Sequence, residues 1–209
     1  PVMWTGDTVV HDITYSGQQW VNKHVQRPTF IWWNWPCNDF KRSRLSMGRT
    51  YGLDTDPDMK NQMSGFVANP MEHAEASKVG LFGVANYTWN IEDFESSTTW
   101  KEGMNRLYPR HREAMKVFCS HNSYLLPNGH GYFREESVEI AETAKHFIAE
   151  LEEGRIDRRS RQILQLEFDR MVSAARELKH TNNPVAGLCQ EIRPWLDQFE
   201  LVGGAGASV

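Results

Sequence analysis

The sequence predicts an α/β domain followed by an all-α domain, and two patterns along the chain support this prediction. Residues 1–95 alternate short apolar strands, polar turns and helices, which is typical of a parallel α/β architecture. From residue 96 onward, apolar side chains recur at helical spacing and short polar turns separate the stripes. We therefore expect two domains, at residues 1–95 and 96–209.

Strand–turn–helix units make up the first predicted domain. The predicted strands are "PVMW", "TFIWW" and "SGFVAN", and the first is followed by the helix "GQQWVNKHVQ". Residues 40–63 form a long polar connection between the second and third strands. The last helix is expected to begin with Asn69 as N-cap, because Pro70 then occupies N1 and Glu72 can close a capping box.

Amphipathic helices packed as an antiparallel bundle make up the second predicted domain. Their apolar stripes are Trp100, Met104 and Leu107; Ala114, Met115 and Phe118; Ala141, Ala144, Ile148 and Leu151; Leu164, Phe168, Met171, Ala175 and Leu178; and Leu188, Ile192, Trp195 and Phe199. Pro194 is expected to kink or break the last helix. The glycine-rich segment "PNGHGY" is interpreted as a turn, because no strand precedes it.

Composition excludes several classes of function. The formal net charge is -4 and no block of lysines and arginines stands out, which argues against a nucleic-acid or membrane-surface binder. No stretch approaches the ~18 apolar residues of a membrane span. The three cysteines form no CxxC pair, which argues against a zinc ribbon or a thioredoxin-type redox site. His73 in "MEHAE" lacks the second histidine of an HExxH zinc site, and we expect neither a metal site nor a cofactor. The chain starts without a methionine, and we expect both ends to be cut from a longer protein.

Polar side chains follow each predicted strand. Thr5 comes after the first strand, Asn34 and Asp39 after the second, and Asn69 directly after "GFVA" of the third. Because the carboxyl ends of parallel strands meet at one edge of a sheet, these groups could converge on one pocket. Amides and carboxylates suit sugar hydroxyls, and tryptophan offers an apolar face for a pyranose ring. The alternative, that Asn69 is a helix cap and Asp39 a turn residue, stays open.

Carboxylates for a glycosidase mechanism are not evident. The acidic groups at residues 54–58 and 92–95 lie in polar loops, and none sits at a strand end where its geometry could be fixed. We interpret both clusters as solvated turns.

Five segments are similar, in order and spacing, to glycoside hydrolase family 84: "WTGD", "IWWNWPCNDF", "YGLD", "GFVANPMEHAEASK" and "YTWN". The resemblance continues through "HNSYLLPNGHGYFREES" and "RPWLDQFEL", so it covers nearly the whole chain. This family contains bacterial β-N-acetylglucosaminidases related to O-GlcNAcase and to clostridial hyaluronidases. It implies a (β/α)8 barrel followed by a helical domain, and retaining hydrolysis in which the acetamido oxygen of the substrate attacks the anomeric carbon with help from two adjacent aspartates.

A complete barrel does not fit into this chain. A barrel takes ~250 residues, whereas only three strand–helix units are visible and no Asp-Asp dipeptide occurs. The resemblance therefore maps the chain to the last three βα units of a TIM barrel plus the helical bundle. The catalytic Asp pair is expected upstream, so no catalytic residue is assigned in this chain.

The resemblance assigns sugar-binding roles to residues at the strand ends. These residues are Thr5, Val9, Trp32, Trp33, Asn34, Asp39 and Asn69. Asn34 and Asp39 would hold the sugar, Trp32 beside Trp33 would form the pocket wall, and Asn69 would add a hydrogen bond. Thr5 and Val9 would line the acetamido side.

The expected partner is a glycan or glycoprotein containing N-acetylglucosamine. The alternative to a glycosidase function is a non-catalytic carbohydrate-binding or scaffold module. A three-stranded sheet would also expose edges through which the chain could associate with itself. The compartment is unassigned, and a periplasmic or secreted bacterial parent is the expectation.

Overall fold

The computed structural model describes residues 1–123, 136–180 and 186–208, and the chain divides into two compact units. The first unit comprises Pro1–Leu107 together with Ser123, and the second comprises residues 108–122 and the described residues from 136 onward. These are units of packing, and the domain boundary expected between residues 95 and 96 stays a prediction. The predicted "PNGHGY" turn lies outside the described residues.

A small parallel sheet organises the first unit. Its strands are β1 (Met3–Trp4), β2 (Thr29–Trp33) and β3 (Met63–Ala68), and β2 lies in the middle. Strand β2 has the predicted bounds, and β1 and β3 overlap the predicted segments. Helix α1 (Tyr15–Val25) links β1 to β2, and its N-cap Thr14 accepts a hydrogen bond from the Gly17 amide at 3.1 Å.

The connection from β2 to β3 contains a short 3-10 turn at Asp39–Lys41 and helix α2 (Met59–Gln62). Its acidic residues brace α1, because Asp54 Oδ2 accepts the Tyr15 amide at 2.9 Å and Asp58 Oδ2 accepts the Tyr15 hydroxyl at 2.9 Å. These carboxylates therefore hold the connection against the start of α1, a structural role that the prediction of a solvated turn did not include.

Helix α3 (Ala74–Trp89) begins later than the sequence predicts. The expected N-cap at Asn69 is wrong. The backbone N–H of Asn69 donates to the Trp33 carbonyl at 2.8 Å, so Asn69 continues the β2–β3 pairing by one residue. The residue before the helix is His73, whose side chain makes no capping hydrogen bond.

One face of the sheet is buried in the core of the first unit, and the other is partly exposed to solvent. Ile31 and Trp33 of β2 are fully buried and pack in a core that includes Tyr87 of α3. On the opposite face, side chains paired across the strands are partly exposed; Met3 is 54% exposed, Trp32 39% and Val67 37%. We call this second side, defined by Met3, Phe30, Trp32 and Val67, the open face.

Helix α4 (Ser96–Leu107) completes the first unit, and helices build the described part of the second. They are α5 (Arg112–Ser120), α6 (Val138–Glu152), α7 (Arg158–His180), α8 (Ala186–Glu191) and α9 (Arg193–Ala207). The break between α8 and α9 beside Pro194 confirms the predicted interruption. The antiparallel arrangement of these helices stays a prediction.

Helix α7 contacts α5, α6 and α9 and so forms the centre of the second unit. An ideal Cβ at Gly206 would lie 2.5 Å from the Phe168 ring, so glycine permits the close approach of α9 to α7. His121 links three segments, with Nδ1 2.7 Å from Ser137 Oγ and Nε2 3.0 Å from Glu167 Oε1. None of the described helices has the length and apolar character needed to cross a membrane.

Candidate functional site

Asn34 is the centre of a hydrogen-bond network at the carboxyl edge of the sheet. Trp33 and Ala68 are the last residues of β2 and β3 and pair with each other. The residues that follow them, Asn34 and Asn69, therefore lie side by side. Asn34 Oδ1 accepts from Asn69 Nδ2 at 2.9 Å and from Trp32 Nε1 at 3.0 Å, and Asn34 Nδ2 donates to the Val9 carbonyl. One carboxamide thus joins β2, β3 and the loop after β1.

The two strand tryptophans have different surroundings because side chains alternate along β2. Trp32 is 39% exposed, and Asn34 holds its indole by the bond described above. Trp33 has no exposed surface and donates Nε1 to the His11 carbonyl at 3.1 Å. Trp33 was expected to line the pocket, but it lies in the core and supports the carboxyl edge of the sheet from there.

The segment that leads from the strand to Asp39 is anchored to the core. Trp35 is fully buried and donates Nε1 to Thr50 Oγ1 at 3.0 Å, and Thr50 in turn donates to the Gly80 carbonyl at 2.9 Å. Asn38 Nδ2 donates to the Arg44 carbonyl at 2.6 Å. These contacts hold the backbone that presents Asp39.

Asp39 is exposed, and its Oδ1 accepts a hydrogen bond from Cys37 Sγ at 3.0 Å. Burial, and to a lesser extent the hydrogen bond to the Asp39 side chain, raise the pKa of Cys37 to about 11. The thiol is therefore neutral near pH 7 and acts as the donor. Sequence reasoning missed Cys37, whose single signal was its place two residues before Asp39 in "WPCND".

Thr5 and Val9 lie in the loop that follows β1. Thr5 Oγ1 donates to the Thr8 carbonyl at 3.0 Å, which closes the turn. Val9 is 61% exposed and enters the network through its backbone carbonyl. The described hydrogen bonds thus join Trp32, Asn34, Asn69 and Val9, whereas a separate bond from Cys37 holds Asp39.

These groups define a chemical class of site. Neutral amides and an exposed indole stand at the carboxyl edge of a parallel sheet, where α/β proteins bind ligands, and an exposed carboxylate lies on the segment that follows β2. Such groups are suited to a ligand with many hydroxyls and an apolar ring face. The fold and these groups therefore describe an α/β protein with a cluster of polar and aromatic side chains where its strands end.

Comparison with protein families gives a consistent result. Residues 1–120 match the beta-N-acetylglucosaminidase family, and residues 136–209 match the post-catalytic domain of bacterial GH84. The chain belongs to glycoside hydrolase family 84.

Solved structures are similar over nearly the whole chain. CpGH84D is 32% identical with a TM-score of 0.88, over 98% of this chain and 34% of that one. CpGH84B is 29% identical with a TM-score of 0.87, over 99% of this chain and 35% of that one. A mutant O-GlcNAc hydrolase of Thermobaculum terrenum is 27% identical with a TM-score of 0.82, over 98% of this chain and 43% of that one. The chain thus spans less than half of each of these proteins.

Proposed function

We propose that this chain supplies part of the substrate site of a retaining, substrate-assisted β-N-acetylglucosaminidase that hydrolyses terminal β-linked N-acetylglucosamine. The observation that supports the proposal is the Asn34 network at the carboxyl edge of the sheet, in a chain that belongs to family 84. The substrate would be a glycan or glycoprotein that carries this sugar.

Each group of the site has a role in this proposal. The exposed face of Trp32 packs against the pyranose ring, and Asp39 accepts hydrogen bonds from ring hydroxyls. Asn69, oriented by Asn34, contributes a further polar contact to the sugar. Thr5 and Val9 line the acetamido side, and Trp33 supports the wall from the core.

The catalytic machinery is proposed to lie outside these residues. The sequence contains no Asp-Asp dipeptide, and the chain covers 34% to 43% of the solved relatives. We propose that residues 1–95 correspond to the last three βα units of a TIM barrel and residues 96–209 to an antiparallel helical bundle. The adjacent aspartates that orient the acetamido group and transfer the proton would belong to an earlier strand.

Sugar binding can be tested by titrating the isotope-labelled chain with N-acetylglucosamine and recording NMR spectra. We expect the indole signal of Trp32 and the side-chain amide signals of Asn34 and Asn69 to shift. Asp39→Ala should weaken binding about tenfold, since a hydrogen bond to a charged group is lost. Asp169→Ala, an exposed aspartate of the helical unit, is the matched control. Shifts confined to other residues would contradict the proposed site.

Hydrolysis by this chain alone is expected to be absent, because its sequence contains no adjacent pair of aspartates. The measurement is release of the aryl group from an aryl N-acetylglucosaminide. Turnover that persists after careful repurification and in the Asp39→Ala variant would refute this expectation.

The gene sequence upstream of Pro1 distinguishes the enzyme from the alternative function, a non-catalytic carbohydrate-binding or scaffold module. An Asp-Asp pair at a strand end there supports the enzyme, and a start codon directly before Pro1 supports the module.

We also propose that the isolated chain associates with itself through the sheet. The open face exposes apolar side chains, and β1 and β3 have unpaired edges within the described sheet. Light scattering should show species larger than a monomer, and Val67→Lys on β3 should shift them toward the monomer. Leu201→Lys, at an exposed apolar position of α9, is the control. A strictly monomeric wild-type chain would count against this proposal.

A further inference from the structure

Cys37 is buried beside an exposed carboxylate that the proposed function assigns to the sugar. Only 5% of Cys37 is exposed, whereas Asp39 faces solvent. The thiol sulfur lies 3.0 Å from Asp39 Oδ1, which is within hydrogen-bond distance for sulfur. An ionised carboxylate can only accept hydrogen bonds, so the thiol must be the donor.

The backbone around Cys37 is held independently of this contact. The Cys37 carbonyl accepts from Ser46 Oγ at 3.3 Å, and an ideal Cβ at Gly80 would lie 2.9 Å from the Pro36 ring. Together with the anchors at Trp35 and Asn38, these contacts place the thiol at a fixed point. A fixed donor can select one orientation of a neighbouring side chain that would otherwise rotate in solvent.

We propose that Cys37 is a positioning residue, whose thiol holds the Asp39 carboxylate in one orientation and leaves Asp39 Oδ2 directed at the sugar hydroxyls. The second half of this proposal rests on the proposed function, and the first half does not. The ionisation behaviour of the thiol agrees with it, since burial and Asp39 both raise the pKa of Cys37. Cys37 itself has no contact with the sugar in this assignment.

Three variants separate a positioning role from simple packing. Cys37→Ser keeps a hydrogen-bond donor, Cys37→Ala removes it, and Cys37→Val removes it while filling the space. Three-bond couplings from the Asp39 side-chain carboxyl carbon to the backbone report its χ1 rotamer in the full chain without ligand. We expect a single rotamer in the wild type and in Cys37→Ser, and averaged couplings in Cys37→Ala and Cys37→Val.

Binding and titration complete the experiment. N-acetylglucosamine should bind about fivefold more weakly to Cys37→Ala and Cys37→Val than to Cys37→Ser, as expected for one hydrogen bond. Asp39→Ala should lower the pKa of Cys37, followed through the cysteine Cβ signal, while the pKa of Cys189 stays at about 11.

Unchanged couplings in Cys37→Ala, or an unchanged Cys37 pKa in Asp39→Ala, would overturn the proposal. Averaged couplings without any loss of affinity would overturn its second half. If the wild-type chain does not bind the sugar while the couplings respond as expected, the proposed function and that second half fail, and the orientation of Asp39 by Cys37 stands.

Discussion

Replacing Trp33 with alanine is expected to lower the free energy of unfolding of the sheet unit by about 3–5 kcal/mol. Trp33 is fully buried, and its ring centroid lies 6.0 Å from that of Trp35 and 6.2 Å from that of Phe66. Alanine would leave a cavity in the core and would remove the indole hydrogen bond to the His11 carbonyl. The remaining structure can fill such a cavity only in part.

Urea unfolding followed by circular dichroism measures this loss, with Trp89→Ala as the matched control. Trp89 is 91% exposed, so its removal should change the free energy of unfolding by less than about 0.5 kcal/mol. Equal effects of the two substitutions would show that Trp33 is not the core residue described above.

Asn34→Ala is expected to cost about 1–3 kcal/mol of stability, because a buried carboxamide and its three hydrogen bonds are lost. It is also expected to weaken binding of N-acetylglucosamine by more than about tenfold, because one substitution releases two groups of the proposed site. Trp32 Nε1 and Asn69 Nδ2 both lose their acceptor, and the Val9 carbonyl loses its donor. The Trp32 indole and the side-chain amide of Asn69 can then rotate away from the orientation in which they are proposed to contact the sugar.

The release is measurable without sugar, because the Trp32 indole proton should shift upfield when its hydrogen bond is lost. Asn90→Ala is the control, since Asn90 is exposed and donates its side-chain amide to Asp93. Sugar affinity that is unchanged in Asn34→Ala would place the site away from this edge of the sheet.

Local patterns account for the elements that the sequence predicted well. The β-branched and aromatic run "TFIWW" forms β2, and stripes of apolar residues at helical spacing form α4 to α7 and α9. These patterns act over a few residues, so they are visible without knowledge of the fold. The family resemblance, which also rests on local motifs, is confirmed by the family comparison.

The start of α3 shows where local rules fail. Asn69, Pro70 and Glu72 satisfy the rule for a helix N-terminus, whose capping bond contributes about 1 kcal/mol. The backbone N–H of Asn69 instead donates to the Trp33 carbonyl. The side chain of Asn69 donates to Asn34, which is 35 residues away in the chain. Two bonds across the sheet thus replace one local cap.

Sequence by itself determined the class of the fold, the family, and the positions in the chain where polar groups follow strands. It did not separate Trp32 from Trp33, which the resemblance assigned to one pocket wall although alternation along a strand puts neighbouring side chains on opposite faces. Only the tertiary structure decided which of these faces is covered by α3, that Asn69 joins Asn34, and that Cys37 holds Asp39. The physical reason is that a local pattern states which residues share a face, whereas burial and hydrogen-bond partners depend on segments brought together from elsewhere in the chain.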